Sequence, residues 1–469
     1  MLFPNRFERT ASLAGAAGLA FVFVVLAVLG YWQVARGDLA QNDLNPRVLE
    51  RFSNPSRGRI LAADGTVLAE SLPGGERVYR DASIAHVLGY IDPRYGSQGI
   101  ELTRNGALSG EEPVGWDGAL NAEFERAPPA GRDVRLTIDS RVQEAGAQAL
   151  GTRKGAVVAI DPVTGDILAM VSVPTYDPGA LASEGGESLL SDPAAPLLNR
   201  STHGLYPPGS TFKTVTAASA LEFNVITPST IVECPGEIVI EGFPISCSNV
   251  PQGVGRYPFS DAYIYSVNAI FADVGANVLG WNRLEDTAQR LGFGRPIDFE
   301  LTTAISELRL PGSPRTNVLL ASTAFGQGEL LVTPLQMALV AAAVANGGEM
   351  ARPRIVAGEA GASGEFSAPA DPRLTRVLSA ETAGTVAAMM REVVARGLVS
   401  GMSNLGFEAG GKTGTAETGT GGQSHAWFIA FGSRGGKQAA VAVIVENGGR
   451  GGEVAAPIAA SVLKAALLP

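Results

Sequence analysis

From Ala11 to Val34 the chain reads "ASLAGAAGLAFVFVVLAVLGYWQV", a run without one charged side chain. At ~1.5 Å per residue such a run crosses the ~30 Å hydrocarbon layer of a bilayer, which predicts a transmembrane helix over residues 11–34 with Tyr31 and Trp32 at an interface. It is longer than the apolar region of a secretory signal, although Val28-Leu29-Gly30 would suit a cleavage site. Arg6 and Arg9 precede the run and Arg36, Arg47 and Arg51 follow it, so charge alone does not set its orientation.

From residue 35 to Asp133 the pattern is polar and rich in turns. Within it "RGRILAADGTVLAES" sets two short apolar strands, Ile60-Leu61 and Val67-Leu68, around an Asp64-Gly65 turn, and predicts a small α+β module over residues 35–133. So small a module cannot bury all four apolar side chains, so part of that surface is expected to face a membrane partner. Pro128, Pro129 and Gly131 read as a linker. In "VRLTIDSRVQEAGAQAL" alternation gives way to a helical period, with Asp139 or Ser140 as cap. "KGAVVAIDPVTGDILAMVSVP" follows as a hairpin turning at residues 161–165, and near the other end "QAAVAVIVEN" reads as a strand and "AAPIAASVLKAALL" as an amphipathic helix. The strands at both ends are expected to share one sheet.

The 469 residues, 45% of them hydrophobic and 17% charged, suffice for two or three folding units with a sizeable core. A net charge of -10 argues against nucleic acid as a ligand, because phosphates demand a basic face. His86, His203 and His425, with Cys234 and Cys247, are too scattered for a Zn²⁺ cage, so neither a metal nor another cofactor is called for.

Two motifs compete for "GFEAGGKTGTAE". Gly406 to Thr413 satisfies the spacing of a phosphate-binding loop, but that loop needs a buried strand before it and a helix starting at Lys412. The flanks, "VSGMSNLG" and "TGTAETGTGGQ", offer neither. Read as Lys412-Thr413-Gly414, the segment belongs with two others. In "YPPGSTFKTVTAASAL" the Pro207-Pro208-Gly209 turn puts Ser210 near the start of an Ala-rich helix, and Lys213 follows one turn on, where its amine can meet Ser210 Oγ as a base. Ser461 and Lys464 repeat the spacing on plain helix surface, so context must decide. That context is Ser266-x-Asn268 in "YSVNAIF", then Lys412-Thr413-Gly414, in the order used by serine acyl-transfer enzymes that react with penicillins.

Together with "FGQGELLVTPLQMA", "HAWFIAF" and the terminal "AAPIAASVL", these motifs make the chain resemble a class B penicillin-binding protein, and its compact N-terminal region is most similar to the actinobacterial penicillin-binding protein A type. The resemblance implies an α/β transpeptidase fold: an antiparallel sheet flanked by helices plus a helical subdomain over residues 134–469, a pedestal over 35–133, a single-pass anchor, a cytoplasmic tail over 1–10, and an extracytoplasmic catalytic domain. It implies peptidoglycan stem peptides as substrate, β-lactams as inhibitors, and a polytopic glycosyltransferase of the shape, elongation and division class as partner. By the same resemblance Ser210 is the nucleophile, Lys213 its base, and Ser266 the proton relay. Asn268 holds the peptide amide; Lys412, Thr413, Gly414 and Thr415 bind the terminal carboxylate; and the backbone N–H groups of Ser210 and Thr415 form the oxyanion hole. Lys213 needs a depressed pKa, supplied by burial, the helix terminus and Lys412, whereas Lys412 is expected to stay charged. Trp427 is read as sheet packing. A D,D-carboxypeptidase or β-lactamase of the same fold, or a non-catalytic sensor or scaffold, would share most of these features. Cys234 and Cys247, 13 apart in "CPGEIVIEGFPISC" and outside the membrane on this reading, are expected to pair across a short hairpin.

Overall fold

The computed structural model describes residues 57–469 except 93, 111–129, 183–185, 248–253, 362–363, 368–369, 397–398, 400, 403 and 419–421, and near the N-terminus residues 18–25, 28 and 31. Residues 18–25 are helical, but most of the expected span over 11–34, the tail over 1–10 and the Pro128-Pro129 linker lie outside the described residues. Among the described residues no helix is long and apolar enough to cross a membrane.

The two near-continuous apolar runs of the sequence meet in one five-stranded sheet. Its order is Glu408–Ala416, His425–Arg434, Lys437–Val445, Gly155–Ile160, Ile167–Val173, antiparallel at every step. Val441 lies opposite Ala159, so strands from both ends of the catalytic region do share a sheet. All of Gly155–Ile160 and everything from Ala439 to Val445 is buried, which is why these strands read as unbroken apolar runs rather than alternating ones. The helix Ser140–Leu150, capped by Asp139 Oδ1 through the N–H groups of Arg141 and Val142, packs on Gly155–Ile160 and Ile167–Val173 beside the closing helix Gly451–Leu467, which covers the neighbouring strands. A Cβ on Gly146 would stand 3.2 Å from Val171 Cγ2 and 3.7 Å from Val462 Cγ2, so a glycine there lets helix and sheet approach. The apolar helix Pro334–Ala345, nearly all of it buried, covers the middle strands.

The pedestal is not closed on itself. Ile60–Leu61 pairs with Val67–Ser71, as the Asp64-Gly65 turn predicts, but its other edge pairs in parallel with Val134–Leu136, which in turn takes Val356–Glu359 as an antiparallel neighbour. Most of the expected surplus of apolar surface is therefore covered: Ile60 is fully buried and Leu61 and Leu68 nearly so, and of the four only Val67 stays half-exposed. Glu101, fully buried, ties the module internally. Its carboxylate accepts from Arg57 Nε at 2.7 Å and from Arg77 Nε at 2.7 Å, while Arg57 also donates to the Glu101 carbonyl and to Asn105 Oδ1.

Cys234, at the end of the strand Ile231–Cys234, is disulfide-bonded to Cys247 with a Cα–Cα distance of 6.0 Å. The loop they close is the hairpin Glu237–Ile240 and Phe243–Ser246. Replacing both cysteines by serine is expected to lower unfolding stability by about 3 kcal/mol, the chain-entropy value for a loop of this length, as read from the urea midpoint of the chain from residue 57 onward.

Candidate active site

Three segments far apart in sequence converge at the open edge of the sheet. Ser210 lies in a single 3₁₀ turn, Gly209–Phe212, that leads directly into the helix Lys213–Glu222. Gly209 adopts φ +55° and donates its N–H to the Gly326 carbonyl at 2.9 Å, and a Cβ on Gly326 would fall 1.7 Å from the Gly209 oxygen. The "FGQG" loop is thus pressed against the turn that carries Ser210, which only glycine allows. From the other side comes the edge strand Glu408–Ala416. A Cβ on Gly209 would meet the Thr415 backbone at 2.8 Å, and one on Gly414 would meet the Pro208 carbonyl at 2.7 Å. The glycine of Lys412-Thr413-Gly414 is there because backbone packs on backbone at this point. Trp427, fully buried, donates from Nε1 to the Pro207 carbonyl at 2.9 Å, so its place is in the sheet, bracing the turn that carries Ser210.

Along the edge strand Thr413 and Thr415 share one face and Lys412 and Gly414 the other, by the two-residue period of a strand. The threonines keep solvent access while Lys412 is wholly buried, its Nζ donating to Ser266 Oγ at 2.8 Å and standing 5.7 Å over the Tyr263 ring. Lys213 is equally buried, but its partners are not on its own helix. Nζ lies 2.6 Å from the Ser266 carbonyl, 2.6 Å from Asn268 Oδ1 and 3.2 Å from Ser266 Oγ, whereas among the described residues Ser210 Oγ has no hydrogen bond within 3.5 Å. The i, i+3 spacing places Lys213 beside the Ser210 turn, and the Ser266–Asn268 segment decides where its amine points.

Ser266 holds φ +61°, a left-handed conformation that a serine adopts only when its surroundings impose it. Here the carbonyl and Oγ of Ser266 both face Lys213, and Oγ also faces Lys412. Nothing in the sequence signals this strain, and Tyr263 beneath Lys412 was likewise missed, because an aromatic one turn before Ser-x-Asn reads as ordinary core.

Two fully buried amines next to one hydroxyl cannot both remain ordinary ammonium groups. Burial, and after it the charge of Lys412, holds Lys213 well below the usual lysine range. Burial pushes Lys412 down to about 7, so its charge is held far less firmly than that of an ordinary lysine. A neutral Lys213 can still donate its two N–H bonds to the Ser266 carbonyl and Asn268 Oδ1, which leaves its lone pair to accept a proton, while Ser266 Oγ accepts from Lys412. The arrangement can store and pass a proton among Lys213, Ser266 and Lys412 beside the Ser210 hydroxyl.

The profile for the penicillin binding protein transpeptidase domain matches residues 155–464, and that for the penicillin binding protein A dimerisation domain matches residues 57–134. The chain belongs to the class B penicillin-binding proteins. Within that family it is 34% identical to the peptidoglycan D,D-transpeptidase PbpA of Mycobacterium tuberculosis, over 97% of this chain and 99% of that protein. It is 28% identical to the peptidoglycan D,D-transpeptidase MrdA of Salmonella typhimurium over 81% of this chain and 71% of that one. The structure of penicillin-binding protein A from M. tuberculosis as a penicillin G acyl-enzyme complex superposes with a TM-score of 0.78 at 33% identity, covering 87% of this chain and 99% of the other. The penicillin-binding protein fold, mixed α/β with an antiparallel sheet between helices, is therefore common to both, and Lys412-Thr413-Gly414 lies on its edge strand rather than in a phosphate loop.

Proposed function

We propose that this class B penicillin-binding protein is a serine D,D-transpeptidase that cross-links peptidoglycan stem peptides and is acylated by β-lactams at Ser210. The observation that carries the reading is the pair of buried amines, Lys213 and Lys412, meeting on Ser266 Oγ beside the Ser210 turn. Ser210 Oγ attacks the carbonyl carbon of the penultimate D-Ala, and its proton passes to neutral Lys213 as substrate draws the hydroxyl into line. The oxyanion lies between the N–H groups of Ser210 and Thr415, whose backbones are held together at Gly209. When the C–N bond breaks, the proton held by Lys213 returns through Ser266 to the departing D-Ala nitrogen, leaving an ester on Ser210. An acceptor amine attacks that ester, its proton going back to Lys213 and then to Ser210 as the cross-link forms. Asn268 positions the stem amide. The terminal carboxylate is bound by Thr413, Thr415 and Lys412, on the strand whose backbone Gly414 lets pack on the Ser210 turn; the carboxylate stabilises the protonated form of Lys412.

Exposure to benzylpenicillin is expected to add the mass of the intact penicillin, because ring opening expels nothing, and Ser210→Ala is expected to show no adduct by intact-protein mass spectrometry. An adduct of equal yield on Ser210→Ala would remove Ser210 from its role.

The uncharged run over residues 11–34 supports a single-pass anchor with the catalytic domain outside the cytoplasm, and we assign the wider architecture accordingly: a tail over 1–10, a pedestal over 35–133 and a catalytic domain over 134–469. A polytopic glycosyltransferase of the shape, elongation and division class is the fitting partner, since it would supply the glycan strands to be cross-linked. The full-length protein is expected to stay with membranes through an alkaline carbonate wash and to leave them only in detergent; recovery in the carbonate supernatant would argue against the anchor.

A further inference from the structure

Lys154, Lys437 and Lys464 are exposed, whereas Lys213 and Lys412 are fully buried, and among the described residues neither buried amine has a carboxylate within ion-pair distance. An ammonium taken out of water without a counter-ion is costly and gives up its proton more readily. Here two aromatic faces take the place of the missing carboxylate. Lys412 Nζ lies 5.7 Å over the Tyr263 ring and Lys213 Nζ 5.4 Å over the Phe271 ring, inside the ~6 Å at which the negative face of a ring attracts a cation.

Packing locks both rings where they are. Tyr263, in the helix Phe259–Ile264 and three residues before Ser266, and Phe271, in the helix Asn268–Asp273 and three residues after Asn268, are fully buried. Three residues make about one helical turn, so Phe271 and Asn268 reach Lys213 from the same side of their helix. Tyr263 OH shares a hydrogen bond of 3.0 Å with Thr214 Oγ1, the Tyr263 and Phe271 centroids are 6.3 Å apart, and Phe271 packs in turn on Phe259 at 5.4 Å. Burial raises the Tyr263 phenol above its usual range, so that ring brings no charge of its own. The nearby acids are engaged elsewhere: Asp261 pairs with Arg396, Glu408 with Arg391, and Asp273 accepts from Asn277. The groups that face the two amines are therefore each other, the Ser266 hydroxyl, Asn268 and a neutral phenol.

We propose that Tyr263 and Phe271 are positioning residues of the proton relay, their ring faces stabilising the ammonium forms of Lys412 and Lys213 in place of a carboxylate. The choice of ring over acid has a chemical reason. A carboxylate beside Lys213 would fix it as an ammonium, useless as a base, and one beside Lys412 would compete with the carboxylate of the substrate. A ring supports the cation without occupying its N–H groups. The inference rests on the roles given to the two lysines above.

The test places phenylalanine, or phenylalanine bearing one, two or three fluorines, at position 263 and separately at position 271 of the full-length protein in detergent. Fluorine draws electron density from the ring face with little change in size, so the fold is kept while the attraction for a cation weakens step by step. Lys154, Lys213, Lys412, Lys437 and Lys464 are the only lysines, so magnetic resonance of isotope-labelled lysine follows each amine through its titration without any turnover. Tyr263→Phe, which keeps the ring, is expected to leave the Lys412 titration near that of the wild type. Successive fluorines at 263 are expected to move Lys412, and at 271 to move Lys213, to lower pH by about half a unit to one unit over the series. In acylation by a fluorescent penicillin the alkaline limb should follow the first series and the acid limb the second. Titrations that ignore the fluorine count would show the rings to be packing alone and overturn the inference. Graded titrations with unmoved acylation limbs would uphold the action of the rings on the amines and refute instead the roles assigned to the lysines.

Discussion

Lys213→Arg is expected to lower the rate of penicillin acylation by about 10³-fold or more, because the base must be neutral to take the Ser210 proton and a guanidinium does not give up its own in this range. Lys412→Arg is expected to retain a measurable fraction of the wild-type rate, because its role needs a cation rather than a base. The pH dependence separates the two further. Lys213 must be deprotonated, and burial with the neighbouring Lys412 charge holds its pKa well below the ordinary value, so the acid limb of acylation lies far below the titration of a free lysine. Lys412 must be protonated to draw in a carboxylate, and burial brings its pKa to about 7, so the second-order rate constant should fall as pH rises through about 7. In Lys412→Arg that alkaline limb should disappear, since a buried guanidinium stays charged. Stopped-flow acylation by a fluorescent penicillin across pH 5 to 10 measures all three proteins. Near-normal acylation by Lys213→Arg, or an alkaline limb unchanged in Lys412→Arg, would reopen the assignment of the two amines.

Glu101→Gln is expected to destabilise the pedestal by about 3–5 kcal/mol. The carboxamide leaves two guanidiniums in the interior, with side-chain exposures of 1% for Arg57 and 8% for Arg77, and no charge to offset them. Burial by itself would raise the Glu101 pKa, but Arg57 and then Arg77 outweigh it and hold the carboxyl below the usual range. A depressed carboxyl contributes stability that is fully present above its unfolded pKa and is lost as pH falls through the folded one. The wild type should therefore lose urea resistance in that acid window while Glu101→Gln, already without the contribution, changes less. Hydrogen exchange in residues 57–110 would show the loss to be local, and a midpoint shift worth less than about 0.5 kcal/mol would mean that the triad is dispensable. Replacing all three residues by apolar ones of similar volume is the informative contrast, since buried ion networks are often neutral when removed whole.

The features that local chemistry sets could be read from the chain alone. The Asp139 cap, the turn at residues 161–165, the Asp64-Gly65 hairpin and the spacing of Cys234 and Cys247 each depend on residues within about a dozen positions, where backbone preference and short loops dominate. The order of Ser210-x-x-Lys213, Ser266-x-Asn268 and Lys412-Thr413-Gly414 was equally visible, as was the apolar run of residues 11–34. What those residues do to one another was decided only by tertiary structure. The amine of Lys213 belongs to residues 53 and 55 positions away rather than to Ser210 one turn before it. The Lys412 pKa falls to about 7 because the fold removes the amine from water, and burial has no signature in a three-residue motif. Ser266 is held at φ +61° by the contacts around it. The pedestal closes its apolar face with strands at Val134–Leu136 and Val356–Glu359, the second nearly 300 residues from Ile60. Local propensity acts over a turn or a hairpin, whereas solvation and long-range pairing are properties of the packed whole, so the sequence determined the chemical parts of this site and the tertiary fold determined their charge states and their partners.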